Sequence, residues 1–537
     1  MFVYRDLFGL RRAAVRRRLK TLATVFAAIG PVPVLAAEES LLQPVPPAVV
    51  PVYQMSRPLY QPPGFEIGSF VLAPSVAQTL TYDDNIYASD RHQAGDLIST
   101  TTETLVFRSQ WRRHSVNARA FFSQQLFLDH GTENANIYGA ETSTRLDISD
   151  TAVFEADAGF VQQPQLRNSP QADRISLNRP LYNTLSSAIR YVQDWDRFRN
   201  IAEVSAIKTA YIADADASRS AVRWRYRDRF SFAVTGDSWA FVQASYATQG
   251  WLRNGDLRNF DALTVLAGFN TQIAGLADVE LGAGMLRQSY KFSGFEDLLV
   301  PTFSGRMTWN VLPLTTVTAS VERTVSGLEV FCDKSLGSIS CAKLSGNSIP
   351  GLLQDLNTYT GCQAGPCRDA PAFHYAGILQ QASHGLFKLP AGTRVAVPAQ
   401  FQQLFGTSAI DVEKAMLEYE ALRFTLMQYG KGLQGAIFGD QRGALTSTSA
   451  GIGIQHEFWH NLLGELQFRY EQDEFEPAGL VNRNYAVHVD GRFLVNRNME
   501  LGLSYSFRAR TANDDVVLYN SGPYQENTVS LALKIAL

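Results

Sequence analysis

The sequence predicts an all-β protein, a transmembrane antiparallel up-and-down β-barrel of about 18 strands, 16 to 18 being the range. Three observations carry this: an N-terminal export leader, apolar residues recurring with period two over long segments, and connections that alternate between short and long.

The leader comes first. Arg5, Arg11, Arg12, Arg16, Arg17, Arg18 and Lys20 form a basic region, and Leu22 to Leu35 form an apolar one that Gly30, Pro31 and Pro33 interrupt. That run is too short and too broken for a spanning helix, and Val34-Leu35-Ala36 offers a signal-peptidase site, so residues 1–36 read as a secretory signal peptide. The whole chain of 537 residues has net charge −3; the leader carries seven basic residues and Asp6, so its removal leaves a mature chain of net −9. Such a chain is no nucleic-acid binder by its global field.

Residues 37–66 hold Pro44, Pro46, Pro47, Pro51, Pro58, Pro62 and Pro63. This composition favours an extended segment, read as a periplasmic lead-in to a barrel spanning residues 67–537.

From Gly68 onward the apolar period is two. Leu501, Leu503, Tyr505 and Phe507 alternate with Gly502, Ser504 and Ser506. Tyr485, Val487, Val489 and Phe493 alternate with Ala486, His488, Asp490 and Arg492, and Leu466, Phe468 and Tyr470 with Glu465, Gln467, Arg469 and Glu471. The closing segment puts Val529, Leu531, Leu533, Ile535 and Leu537 on one face. Period two gives one apolar and one wet face. The segments run about 10–14 residues, the length of tilted strands crossing a bilayer, whereas soluble strands run about 5–6. Aromatic residues such as Tyr82, Trp111, Tyr246, Trp309 and Trp459 gather at segment ends, as interfacial girdles do.

Tight connections are expected near 111–115, 148–151, 272–277, 310–314, 459–461 and 494–498. Longer polar ones are expected near 88–99, 164–180, 251–259, 291–300 and 511–523. Short turns on the periplasmic side and long loops outside give this rhythm, and an even strand count returns both ends to the periplasm.

One stretch breaks the pattern. The insertion 326–443 holds Cys332, Cys341, Cys362 and Cys367, and Val412, Ala415, Met416, Tyr419, Leu422 and Leu426 recur at helical spacing within 410–429. It is expected to contain helices and to lie outside the cell or in the lumen. In an oxidising compartment the cysteines are disulfide candidates; the simplest pairing is Cys332–Cys341 with Cys362–Cys367, among three possible pairings.

Two motifs bear on chemistry. His456-Glu457-Phe458-Trp459-His460 matches the zinc-protease pattern H-E-x-x-H, but that chemistry needs a helix, and the flanks read strand, turn, strand. Histidines four apart in a strand stand about 13 Å apart. No enzyme, catalytic residue, metal or cofactor is expected. Arg219, Arg223, Arg225, Arg227 and Arg229 are all odd-numbered, opposite Val222, Trp224 and Tyr226. Charge on the lipid side costs up to ~2–4 kcal/mol, so these arginines belong to the lumen. Arg469, Arg492, Glu465 and Glu471 join them as lumen-lining candidates. A basic strip can guide an anionic solute or polymer; equally, inward carboxylates such as Glu141, Glu155, Asp157, Glu203 and Glu280 can neutralise it.

Gly64-Phe-Glu-Ile-Gly-Ser-Phe-Val-Leu-Ala-Pro-Ser75 and Leu80-Thr-Tyr-Asp-Asp-Asn-Ile-Tyr87 resemble the opening of the outer-membrane β-barrel porins associated with exopolysaccharide operons. Trp309-Asn-Val-Leu-Pro-Leu-Thr315 and Phe493-Leu-Val-Asn-Arg-Asn-Met-Glu-Leu-Gly-Leu-Ser-Tyr505 resemble two later marks of that family. The likeness spans about 64–325 and 444–537, and the insertion and the terminal Leu537 depart from it. The resemblance implies a non-enzymatic channel for export or assembly of surface polysaccharide. Its expected partners are outer-membrane lipid, an anionic polysaccharide and periplasmic polysaccharide-synthesis or export proteins. The alternatives are a general small-solute porin and a structural or surface-binding barrel that displays the insertion.

Overall fold

The computed structural model describes residues 40–43, 49–90, 93–169, 179–213, 219–252, 259–291, 297–327, 394–396, 408–411, 444–476, 480–512 and 523–537. Residues 1–36, expected to be a leader, and all four cysteines lie outside these residues.

Every backbone N–H and C=O in hydrocarbon must find its partner within the protein. The chain meets this demand with eighteen long antiparallel strands in one closed sheet. They are β1 (Phe70–Asp83), β2 (Asp96–Ser109), β3 (Ser115–Phe127), β4 (Ala135–Asp147), β5 (Ala152–Pro164) and β6 (Leu181–Trp195). Next come β7 (Phe198–Tyr211), β8 (Ala221–Ala233), β9 (Ser238–Trp251), β10 (Phe260–Ile273), β11 (Ala277–Tyr290) and β12 (Leu298–Leu312). The wall is completed by β13 (Thr315–Gly327), β14 (Ala444–Trp459), β15 (Leu462–Glu476), β16 (Leu480–Leu494), β17 (Met499–Ala512) and β18 (Tyr524–Ala536). Each strand pairs with the next, and β18 pairs back onto β1 from Ser75↔Ala536 to Asp83↔Thr528, which closes the barrel. The strand count expected from the sequence stands.

The strands have 13 to 16 residues. At about 3.3 Å per residue and a tilt of about 40°, even the shortest rises about 33 Å, enough for a hydrocarbon core of about 30 Å. All six expected tight turns occur, and two more join them at 196–197 and 234–237. The short turns share one end with the start of β1 and the end of β18; the long connections crowd the other.

The two faces separate by parity. Val489, Leu503, Leu531 and Ile535 are exposed in the isolated chain, as are Trp224, Tyr226 and Phe230 on β8. This is the face that lipid covers. Near the short-turn end aromatic rings meet in pairs, Phe70 with Phe107 at 4.4 Å and Phe198 with Phe230 at 5.5 Å between centroids, as an interfacial girdle requires.

The insertion differs from expectation where it is described. Ala409–Asp411 is a strand paired with Arg394–Ala396, so the helix expected from Ile410 does not begin there. Cross-strand pairing, with Arg394 and Asp411 3.9 Å apart, takes the place of helical spacing at its first residues. The rest of that stretch lies outside the described residues, and among the described residues there is no α-helix.

Replacing Leu531, midway along β18 on the lipid face, by Arg should cost about 2–4 kcal/mol of folding free energy. Reversible denaturant unfolding in lipid vesicles measures it, and a loss below about 0.5 kcal/mol would contradict the assigned face.

Candidate functional site

The lumen is built from the inward parity of each strand. The β8 arginines Arg223, Arg225, Arg227 and Arg229 sit on the face opposite Trp224, Tyr226 and Phe230; Arg219 lies just before the strand. Arg227 and Arg229 are buried and Arg219 is almost fully so, stacked over the Tyr211 ring at 4.3 Å.

Register decides what happens to these charges. Arg145, Glu155, Arg190, Glu203 and Arg227 are direct cross-strand partners in turn from β4 to β8. The result is one row of alternating sign: Arg145–Glu155 3.0 Å, Arg190–Glu155 3.0 Å, Arg190–Glu203 2.9 Å and Arg227–Glu203 3.7 Å. Asp147 ends the row, 3.0 Å from Arg145. Opposite charges on facing strands stabilise the pairing, where like charges would oppose it.

A second group sits over β8 to β12. Glu280 bonds both Arg229 and Arg306, and the Arg229 guanidinium lies 3.6 Å above the centre of the Phe241 ring. Phe241 lies flat against the wall only because Gly268 is beneath it: a Cβ there would stand 2.6 Å from Phe241 Cζ and 2.1 Å from the Leu281 carbonyl oxygen. Elsewhere Arg223 donates to Gln249 at 2.9 Å, Arg492 to Glu500 at 2.6 Å and Arg508 to Glu526 at 3.1 Å. Arg469 is 3.2 Å from Glu471, and Glu465 accepts from Gln455 at 2.8 Å. Arg145 and Arg190 in the row, and Arg306 in the second group, are lumenal arginines that the alternation of β8 alone does not reveal. The inward parity of the neighbouring strands carried that signal.

The proline-rich segment is the larger departure. Instead of remaining below the barrel, its described residues lie inside it. Gly64, at φ 71°, turns the chain out of the lumen into the wall, where a Cβ would stand 2.6 Å from Val71 Cγ1. Tyr60 meets His460 in the turn after β14, with ring centres 5.9 Å apart, and Arg57 donates to Glu457 at 2.6 Å. Further in, Tyr53 N–H donates to Gln455, Val52 N–H to Thr316, and Gln43 N–H to Gln243. The wall also reads the segment's carbonyls: Arg227 donates to Ser40, Gln243 to Leu41 and Arg306 to Gln43. Glu322, midway along β13, accepts from Leu41 N–H at 3.0 Å. Leu42 packs with Phe241 and Leu266 in an apolar patch on the lumen wall. The segment therefore climbs from the periplasmic rim to mid-height, held largely by its backbone. Burial pushes the Tyr53 phenol above its ordinary range, with Asp490 and Glu465 adding to the rise, so it remains a donor to Asp490 at 3.1 Å.

At the opposite mouth, Glu133 lies between β3 and β4 and binds Arg167 at 2.6 Å and Arg179 at 3.1 Å. Arg510 of β17 donates to the Asn168 carbonyl at 2.7 Å, which ties the loop after β5 to the far wall. Burial and the neighbouring Glu133 raise the Tyr87 phenol, over which Arg167 stacks at 5.8 Å.

The H-E-x-x-H stretch has no metal geometry. Glu457 turns inward to Arg57, while His456 is on the lipid side against Phe458, at 4.7 Å between ring centres. Among the described residues no group of three His, Cys, Asp or Glu is placed to hold a metal.

Residues 57–340 and 414–537 match the family described as "Putative beta-barrel porin 2". The chain belongs to that family. This porin is an outer-membrane protein whose apolar face meets membrane lipid. No curated protein matches it. Among solved structures it is similar to the outer membrane protein OpdK of Pseudomonas aeruginosa, at 8% identity and TM-score 0.38, covering 87% of this chain and 99% of that one. It is similar to OccAB3 of Acinetobacter baumannii, at 10% identity and TM-score 0.39, covering 88% and 100%. The siderophore receptor PirA of Pseudomonas aeruginosa gives 8% identity and TM-score 0.37, covering 87% and 80%. Likenesses at these scores say nothing of what this porin carries.

Glu280→Ala should strand Arg229, which is 2% exposed, and cost about 3–5 kcal/mol of stability. Unfolding in vesicles measures it; a cost below about 1 kcal/mol would mean that Arg229 finds another partner.

Proposed function

We propose that this porin is a diffusion channel for small polar solutes, narrowed in its periplasmic half by its own N-terminal segment. The observation that carries this is the state of the lumen: its charges run in rows of alternating sign, and residues 40–43 and 49–63 rest on one side of its wall. A row of compensated charges presents hydrogen-bonding groups to a neutral or zwitterionic solute and exerts little net pull on either ion sign.

Export of an anionic polysaccharide, with periplasmic synthesis or export proteins as partners, is the reading that the exopolysaccharide resemblance suggested. It draws less support, because a basic guide strip needs uncompensated arginines. Arg227 and Arg229 are held by Glu203 and Glu280. A barrel that only displays the insertion 326–443 does not explain why the lumen is lined so heavily with charge.

Planar-bilayer conductance of the refolded barrel tests the reading, together with liposome swelling in sugars and amino acids. Steady conductance and swelling faster for small solutes than for oligosaccharides are expected. Block by added anionic polysaccharide with no swelling would favour export, and no conductance with folding shown by heat-modifiable migration would end the channel reading. Deleting residues 37–63 should raise the single-channel conductance. An unchanged value would show that the segment does not obstruct the path.

A further inference from the structure

The outer face is not uniformly apolar, and one stretch of it, where polar side chains lack partners, points to a second copy of this chain. Many mid-height outward positions are large and apolar, as at Val265, Leu281, Ile452, Phe468 and Leu503, and others are small, as at Ala158, Ala206 and Ala283. On β1 to β3 a carboxylate and two amides stand among them, beside Val76 and Phe122. Glu103, the eighth residue of the 14-residue β2, is exposed on the face that also carries Val76 and Leu105. Its cross-strand partners are Val76 and Phe122, both outward, so the carboxylate is directed at lipid.

Beside it runs a row of polar side chains at the next outward register step: Gln78 on β1, Thr101 on β2 and Gln124 on β3. Gln78 is held within the row, donating to Ser99 at 3.0 Å and accepting from Thr101 at 2.7 Å. Among the described residues, neither the Glu103 carboxylate nor the Gln124 side-chain amide has a hydrogen bond or ion pair. Hydrocarbon offers a carboxylate no donor and an amide no acceptor, so both are costly where they stand. Other carboxylates of outward parity have partners: Asp228, the eighth residue of the 13-residue β8, accepts from Asn200 at 2.9 Å, Asp261 lies 3.8 Å from Lys291, and Glu474 lies 3.8 Å from Arg323.

Next to this polar row the outer surface is shallow. Ala118 and Ala120 on β3 face Thr142 and Ala140 on β4, on the outward parity that also carries Phe122 and Tyr138. Small side chains let two backbones approach closely within a membrane.

We propose that the β1–β4 face is the contact of a two-fold dimer in the plane of the membrane. An isologous contact brings residue i of one copy to residue j of the other and j to i. The row suits this because it carries both halves of the bond. Glu103 has acceptor oxygens only, and Gln124 has two amide N–H groups on the adjacent strand. Turned about a two-fold axis between them, Glu103 of each copy meets Gln124 of the other, which removes both from lipid. The alanines and Thr142 supply the close approach, and the barrel lumens remain separate. Neither lipid tails nor an apolar partner supplies these hydrogen bonds.

Native mass spectrometry of the full-length mature chain in mild detergent tests this, with a photo-crosslinking residue at Thr101 in intact outer membranes as the second measurement. A dimer, and a crosslinked band at twice the chain mass, are expected. Ala120→Trp with Ala140→Trp should raise the dissociation constant at least about tenfold, while Ala283→Trp on the opposite face leaves it unchanged. Glu103→Leu should also weaken the dimer, and heat-modifiable migration shows that each variant still folds. A monomeric wild type, or a dimer indifferent to Ala120→Trp, Ala140→Trp and Glu103→Leu, would overturn the proposal. So would a crosslinked band of another mass, which would make the occupant a different protein.

Discussion

The bilayer supplies no hydrogen bonds, and the rest of the structure follows from that. An open sheet has two raw edges, so the first and last strands must find each other, and β1 and β18 do so over nine paired residues on β1, Ser75 to Asp83. Closure makes an inside and an outside, and strand pleat then sorts every side chain to one or the other. Arginines on alternate positions of β8 cannot turn towards lipid, so they crowd inward. Once inward, they must be neutralised by strands whose own alternation is locked to the same closure.

The barrel was legible because its signal is local. Leu501 to Phe507 announces strand, face and spacing within seven residues, and β8 showed which side its arginines take. Of the two turns not expected, 196–197 has only Asp196 and Arg197 and no proline or glycine to mark it, whereas 234–237 carries the turn signal Thr235-Gly236-Asp237. The first relies on Asp196 accepting a φ of 34°. The lumen was only half legible. Which residues face inward is a matter of parity, but which pair is a matter of register between strands tens of residues apart. Glu280, for example, serves Arg229 three strands away as well as its direct neighbour Arg306. The place of the proline-rich segment was not legible at all. It is fixed by Gln243, Arg306, Glu322 and Gln455 bonding to its backbone atoms, and backbone atoms leave no mark in a sequence.

That mode of binding also explains how a lumen so rich in charge stays orderly. Many of the charged groups that the strands drive inward are taken up by a facing strand or by a main-chain atom of the segment, Arg190 and Arg306 among them. Arg227 uses both, with Glu203 on one side and the Ser40 carbonyl on the other. Buried guanidinium groups left alone would cost several kcal/mol each, and shared carboxylates such as Glu203 and Glu280 hold two of them at once. The wall and the segment thus complete one another's hydrogen bonding, as a strand would complete a sheet.

The segment that lies inside the barrel precedes β1 in the chain, and β1 forms one side of the seam. The ring cannot shut first and be threaded afterwards without drawing Tyr53 and Arg57 past a finished periplasmic rim. The simpler history is that the head of the polypeptide settles against β8 to β14 while the sheet is still an open curl, and β18 then zips onto β1 around it. On that history, residues 40–43 and 49–63 would be a former around which the wall is wound, not cargo taken in after closure.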